Sequence, residues 1–334
     1  MRFGLWTPLP HVMQPEPEIN AALADLGTAG QGGATDRSFR FALDSVRRAE
    51  ELGFDITLVA ERFVARDLEA WVVASALAVL TSRIEIMAAI HPGMINPQVV
   101  AKMGASLDRL SGGRFALNVV PGNRPEEFGF YGNGAWLDEA GGRYRRMDEF
   151  IAMIDALWTR EDARFEGEFF RIEAGGMALR PLRRPAPPIY AASSADAGKD
   201  IVARRCHTWF AYHPPGLENY EANARKVAAD IADMRQGAAR HGRALGYGIS
   251  TLAIVDETDA RAEARAAALA GNAASAAVAA RALGAGLVGS PQRVAERIRR
   301  YADAGIDLLM LQFHPFREGM EIFAEAVMPL ARGN

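Results

Sequence analysis

Eight short apolar runs recur along this chain: RFGLWT from Arg2, FDITLVA from Phe54, IEIMAAI from Ile84, RFALNVV from Arg114, PPIYAAS from Pro187, CHTWFAY from Cys206, GISTLAIV from Gly248 and IDLLMLQF from Ile306. Each is nearly continuous in hydrophobicity, the mark of a strand covered on both faces, and such strands belong to parallel sheets. Parallel neighbours cannot be joined by a tight turn, so a long crossover must carry the chain back between them. Helical patterns occupy those intervals. Phe39, Leu43, Val46, Ala49 and Leu52 share one helical face, opened by Thr35 or Asp36 as cap and closed by Gly53. Further helical patterns cover 71–80, 97–110, 144–158, 195–205, 217–241, 259–283, 291–304 and 318–331. Eight strand–helix pairs with no interdomain linker predict one domain over 1–334 with the (β/α)₈ (TIM) barrel fold, and 334 residues are enough to bury its core.

The regularity breaks where a barrel keeps its active site. Residues 8–34 follow the first strand and 121–142 follow the fourth; both are long excursions at strand C-termini and are expected to wall or cover a pocket. Residues 164–179, with Phe165, Phe169 and Phe170 around Gly167, read as a hairpin before the fifth strand.

Charge and composition exclude several classes. Acidic and basic residues nearly balance to a net charge of -3, so no basic face suggests nucleic acid and a small-molecule partner is expected. No apolar run approaches the roughly 20 residues of a membrane helix, and no leader pattern opens the chain, which together with a single cysteine, Cys206, points to a cytoplasmic setting. His11, His91, His213 and His314 show no metal-ligand spacing, so no metal is expected. There is no GxGxxG loop, P-loop or GxSxG elbow, which argues against a nicotinamide fingerprint enzyme, an ATPase and a serine hydrolase.

Several polar residues sit at the predicted strand ends. Ser193 and Ser194 precede a helix, where hydroxyls and free N–H groups either hold an anion such as phosphate or simply cap the helix. Asn118 interrupts the apolar fourth strand; its amide wants partners, which either a flavin edge or neighbouring backbone supplies. Arg143 and Tyr144 follow Gly141 and Gly142, the one fit for a phosphate or carboxylate fork and the other for a hydrogen bond to a ring, although solvation and packing are the plain alternatives. Glu61 and Arg62 follow strand two, as an ion pair or as part of a site. His91 follows strand three, where an imidazole serves as acid, base or donor, or fills a loop. Trp6 ends strand one as an aromatic wall or as core.

Taken together, HPGMINPQVVAKMGASLDRLSGGRFALNVVPG, GRYRRMDEFI, PPIYAASSADAGKDIVARRCHTWF and LVGSPQRVAERIRRYADAGIDLLMLQFHPF resemble the bacterial luciferase-like flavin-dependent monooxygenases, with most likeness to the alkanesulfonate and dimethylsulfone monooxygenases and the pyrimidine oxygenase. The resemblance implies a two-component enzyme that takes reduced FMN from a separate NAD(P)H:flavin reductase and uses O₂ to oxidise an organosulfur compound or N-heterocycle, as a homo-oligomer, dimer or tetramer. It assigns Glu61 and Arg62 to a pair beside the isoalloxazine, Asn118 to a flavin-contacting asparagine, Glu126 of RPEEF to a glutamate of the pyrimidine oxygenase, and Arg143 with Tyr144 to an RY flavin pair. Ser193 and Ser194 match the serines of a GGSS phosphate turn in which Ala191 and Ala192 here replace the glycines. Arg62, His91, Asn118 and Tyr144 are then the expected catalytic groups. Two departures bear on substrate: LDEAGGRY has Glu139 or a glycine where sulfonate and sulfone enzymes carry a histidine, and Phe313 with His314 stands where the sulfonate enzyme has a tyrosine. A deazaflavin-dependent oxidoreductase on the same barrel, a non-catalytic flavin-binding protein and a phosphate-binding barrel isomerase or lyase are the alternatives.

Overall fold

The computed structural model describes residues 1–13, 16, 19, 37–122, 124–130, 132, 136–137, 139–173, 175–211, 220–272 and 275–333. In chain order its first elements are β1 (Arg2–Trp6), α1 (Arg37–Glu51), β2 (Ile56–Val59), α2 (Ala70–Leu80), β3 (Glu85–Ile90), α3 (Pro97–Leu110), β4 (Phe115–Val119), α4 (Pro125–Gly129) and α5 (Ala140–Thr159). There follow β5 (Phe165–Glu166), β6 (Arg171–Ile172), β7 (Ile189–Ala192), α6 (Asp196–Arg205), β8 (Thr208–Ala211), α7 (Tyr220–Arg240) and β9 (Gly246–Val255). The last are α8 (Asp259–Ala270), α9 (Ala276–Ala285), β10 (Val288–Gly289), α10 (Pro291–Ala304), β11 (Leu308–Phe313), α11 (Phe316–Ile322) and α12 (Met328–Arg332).

All eight expected strands form, in the hydrogen-bonded order β1-β2-β3-β4-β7-β8-β9-β11, with β11 returning to β1 in parallel register. The sheet is therefore a closed parallel (β/α)₈ barrel, and β10 is a two-residue strand that pairs in parallel with the end of β9. The expected hairpin is the antiparallel pair β5–β6.

By contacts the chain divides into two compact units, Met1–Thr57 with Phe210–Gln236 and Gly246–Asn334, and Leu58–Trp209 with Gly237–Leu245; the divisions fall inside β2 and β8. The first unit is centred on Phe3, Phe54, Phe313 and Phe323, whose ring centroids lie 5.4–6.4 Å apart. Trp6 and His314 belong to this unit, where the indole donates to the Ser250 hydroxyl at 2.8 Å and the imidazole pairs with Glu16. In the second unit Phe115 of β4 packs between Trp71 and Trp158, whose indole N–H groups donate to the Ala89 and Ala101 carbonyls, so each large ring is buried with its polar atom satisfied.

Three helices differ from expectation for physical reasons. The alanine-rich stretch 259–283 is two helices, interrupted at Gly271 and Asn272, where helix propensity is lowest. The last stretch passes through a π turn, Phe323–Val327, just before Pro329, whose missing N–H cannot continue α-helical bonding. The helix expected from Tyr144 starts at Ala140: Gly141 and Gly142 occupy a first turn whose N–H groups need no helical partner. The excursion 8–34 lies largely outside the described residues, as do His213 and part of 121–142.

Candidate active site

Every candidate residue that the sequence marks, apart from Trp6, lies in the second unit, and most follow the C-terminal ends of four strands. Glu61 and Arg62 come after β2, His91 after β3, Asn118 is penultimate in β4, and Ser193 follows β7. Asn118 is in register with Ala89 on β3 and Tyr190 on β7, so the barrel wall itself aims it. It is 9% exposed, a polar side chain in an otherwise apolar strand.

Arg62 forms an ion pair with Glu127 of α4, a contact not aligned as a hydrogen bond. Glu127 is 2% exposed, whereas Glu126 points to solvent and pairs with Arg124. The glutamate that the structure brings to the site is thus Glu127 rather than Glu126. Glu127 shares its side with Phe128, which packs with Met94, Phe63 and Trp136.

His91 stands against this cluster, its ring 6.0 Å from that of Phe128. Burial holds its pKa below the usual value, with the Glu127 carboxylate opposing, so the imidazole is neutral near pH 7 and its buried Nδ1 has no hydrogen-bond partner.

Glu61, expected beside the isoalloxazine, has both carboxyl oxygens engaged by backbone amides. One oxygen accepts from the Arg62 amide at 2.8 Å and the other from Ala70, the first residue of α2, at 2.9 Å. Burial pushes its carboxyl up to about 7; those two amides pull it down, and Glu69 nearby adds to the rise. A folded pKa above the reference 4.5 means that the native state holds the extra proton. The stabilisation is complete below that reference and is lost as pH rises through about 7. Urea unfolding at pH 5 and 7.5 is expected to show a pH-dependent loss in the native protein that Glu61→Gln reduces by roughly 1–3 kcal/mol. Equal slopes in the two proteins would contradict this account of Glu61.

The RY pair opens α5. Arg143 lies 4.2 Å over the Trp136 ring and donates to the Leu137 carbonyl, so it fastens the loop after β4. The Tyr144 hydroxyl is 3.5 Å from the Ser193 hydroxyl, which also donates to the Ala195 carbonyl at 3.2 Å. Gly198 of α6 permits this approach, since any Cβ there would overlap Ser193 Oγ and the Tyr144 ring. Neither serine caps α6: the N-cap is Ala195, and Ser194 is exposed.

One residue that sequence reasoning passed over is Arg146, 5% exposed on the inward face of α5. Its signal was periodicity, because positions 143, 146, 150 and 154 form one stripe that continues as Phe150 and Ile154, both fully buried.

Residues 1–308 match the luciferase-like monooxygenase family. The chain is 32% identical over 320 residues to an FMNH₂-dependent dimethylsulfone monooxygenase of Pseudomonas putida, covering 85% of each chain. Among solved structures it is similar to the monooxygenase RslO1 from Streptomyces bottropensis, with TM-score 0.76, 23% identity and coverage of 98% of this chain and 99% of that one. An F420-dependent secondary alcohol dehydrogenase shares the fold at TM-score 0.73, with 17% identity and coverage of 99% of each chain. A family match across most of the sequence and a relative of this identity agree with the strand-end polar residues just described: the chain belongs to the luciferase-like monooxygenases.

Proposed function

We propose that this protein is a reduced-FMN-dependent monooxygenase of a two-component system, acting as one catalytic domain over residues 1–334 on a small organosulfur compound or N-heterocycle. The observation that carries the reading is Asn118: a nearly buried amide at the C-terminal end of β4, held in register by both neighbouring strands and set in an apolar run. An amide in an apolar wall is costly to bury unless both its donor and its acceptor are met, and the pyrimidine edge of a flavin offers both. Reduced FMN supplies the electrons that, with O₂, place one oxygen atom in the product and one in water.

The chain's own groups bind and orient. Asn118 is assigned to the flavin edge. Arg62, held by Glu127, and neutral His91 supply polar atoms beside it, while Phe128, Met94 and Trp136 exclude water. Tyr144 with Ser193, and Arg143 at the head of the same helix, are assigned to the ribityl phosphate. The expected homo-oligomeric, cytoplasmic state belongs to the same reading. No helix among the described residues is long and apolar enough to cross a membrane.

The sequence has no dinucleotide fingerprint, so NADH alone is expected to leave FMN oxidised in the presence of the purified protein. Adding any flavin reductase is expected to start O₂-dependent product formation from a panel of sulfones, sulfonates and N-heterocycles. Flavin reduction by the protein with NADH alone would count against the two-component arrangement. Turnover with a reduced deazaflavin in the absence of O₂ would favour the hydride-transfer alternative that the F420-dependent fold relative represents.

A further inference from the structure

Arg146 is the group in the second unit whose burial is least accounted for. It is 5% exposed, yet among the described residues Nε and Nη2 have no hydrogen-bond partner and no ion pair reaches the guanidinium. Arg143, another cation, is the charged group that bears on it, and by repulsion. Glu127, which precedes the Phe128 ring that Arg146 faces, is already paired with Arg62. A guanidinium keeps its charge at all ordinary pH, so this is a buried positive charge with no counter-ion among the described residues.

Its position argues against a packing accident. The guanidinium lies flat against Gly93 in the loop after β3, so closely that a Cβ at Gly93 would overlap Cζ, and Gly93 has φ +100°. A side chain at position 93 would both strain the backbone and displace Arg146, so the loop is shaped to admit the guanidinium. That loop also carries His91 and Met94, and the Arg146 Cζ lies 5.9 Å from the Phe128 ring, beside the apolar cluster already placed in the active site.

The two orphan nitrogens, moreover, are neighbours on the guanidinium. Nε–H and one Nη2–H form a single edge with two parallel donors, spaced for a bidentate contact with two oxygens of one oxyanion.

We propose that the Nε/Nη2 edge of Arg146 is a substrate-anchoring subsite for an oxyanion head group, carboxylate or sulfonate, whose short apolar body lies against Phe128, Met94 and Trp136. This rests on the oxygenase reading for the word substrate, but the binding site stands on the geometry alone. The substrate is then anionic, which sets it apart from the neutral dimethylsulfone named for the relative.

Calorimetric titration at constant ionic strength, with and without bound FMN, tests it without turnover. Propionate and ethanesulfonate are the probes, and dimethylsulfone and N-methylacetamide are the uncharged controls. One anion per chain is expected to bind, at least tenfold more tightly than either control, and the tighter of the two anions identifies the head group. Arg146→Met is expected to weaken that anion at least tenfold while FMN affinity changes less than twofold. Arg146→Lys, which keeps the charge and loses the fork, is expected to weaken it at least threefold, and it serves if the methionine variant fails to fold. Absence of anion binding in the native protein, or equal binding by native and Lys variants, overturns the proposal. So does a loss of affinity for FMN but not riboflavin in either variant, which would assign the edge to the cofactor's phosphate. Anion binding that follows these expectations in a protein inactive with reduced FMN would leave the subsite standing and sink the oxygenase reading.

Discussion

Arg62→Met is expected to destabilise the protein by about 3–5 kcal/mol, because it leaves the Glu127 carboxylate buried without its counter-ion. Glu127 is 2% exposed and Arg62 about a quarter exposed, so little solvent reaches the acidic partner to replace what is lost. A buried pair gains little overall, since desolvating two charges offsets most of their attraction, yet half of a pair is far worse than none. The double variant Arg62→Met with Glu127→Leu is therefore expected to recover most of the loss. Urea unfolding of the native protein, both single variants and the double variant closes the cycle, with a coupling between the two sites above 1 kcal/mol expected for groups in direct contact. A single variant Arg62→Met within 1 kcal/mol of native would show that Glu127 finds another partner, and the proposed charge pattern of the site would have to be redrawn.

That pattern also marks the limit of what the sequence tells. The barrel was legible because its strands are covered on both faces and so are written as unbroken apolar runs, each returning through an amphipathic helix. The polar residues at strand ends were legible for the same reason: Asn118 stands out because nothing else in FALNVV is polar. What could not be read was which of two adjacent glutamates turns inward. RPEEF gives no period long enough to tell Glu126 from Glu127, and the choice falls to the tertiary placement of Phe128. Glu61 was visible as a strand-end acid, but its two backbone donors belong to residues one and nine positions away, of which only the first is local. Arg146 is the reverse case. It sits on a recognisable helical stripe, yet an arginine on such a stripe ordinarily extends its charge to water, and only the space above Gly93 shows that this one stays inside.

Removing the Asn118 amide or the Tyr144 hydroxyl is expected to slow oxygenation by about 10²–10³, the usual loss when one preorganised donor is taken from a water-poor site. The two arrive by different routes, one on β4 and the other at the head of α5, and Tyr144 is located by Ser193 and by the gap at Gly198. If both converge on the cofactor, Asn118→Ala and Tyr144→Phe should each lower kcat more than they weaken FMN binding, because an interaction made mainly in the transition state shows in rate. Cys206 provides the internal control. It is fully buried at the end of α6, two residues before β8, where burial pushes its thiol up to about 12, so no thiolate is available for chemistry at neutral pH. Cys206→Ala should leave kcat nearly unchanged. The measurement is product formation on mixing FMN-loaded, reduced protein with O₂ and substrate, alongside FMN affinity by fluorescence quenching. Native rates in Asn118→Ala and Tyr144→Phe together with a dead Cys206→Ala would place the chemistry at the opposite end of the strands. A parallel loss of rate and FMN affinity would make Asn118 and Tyr144 cofactor clamps with no separate part in the oxygen step.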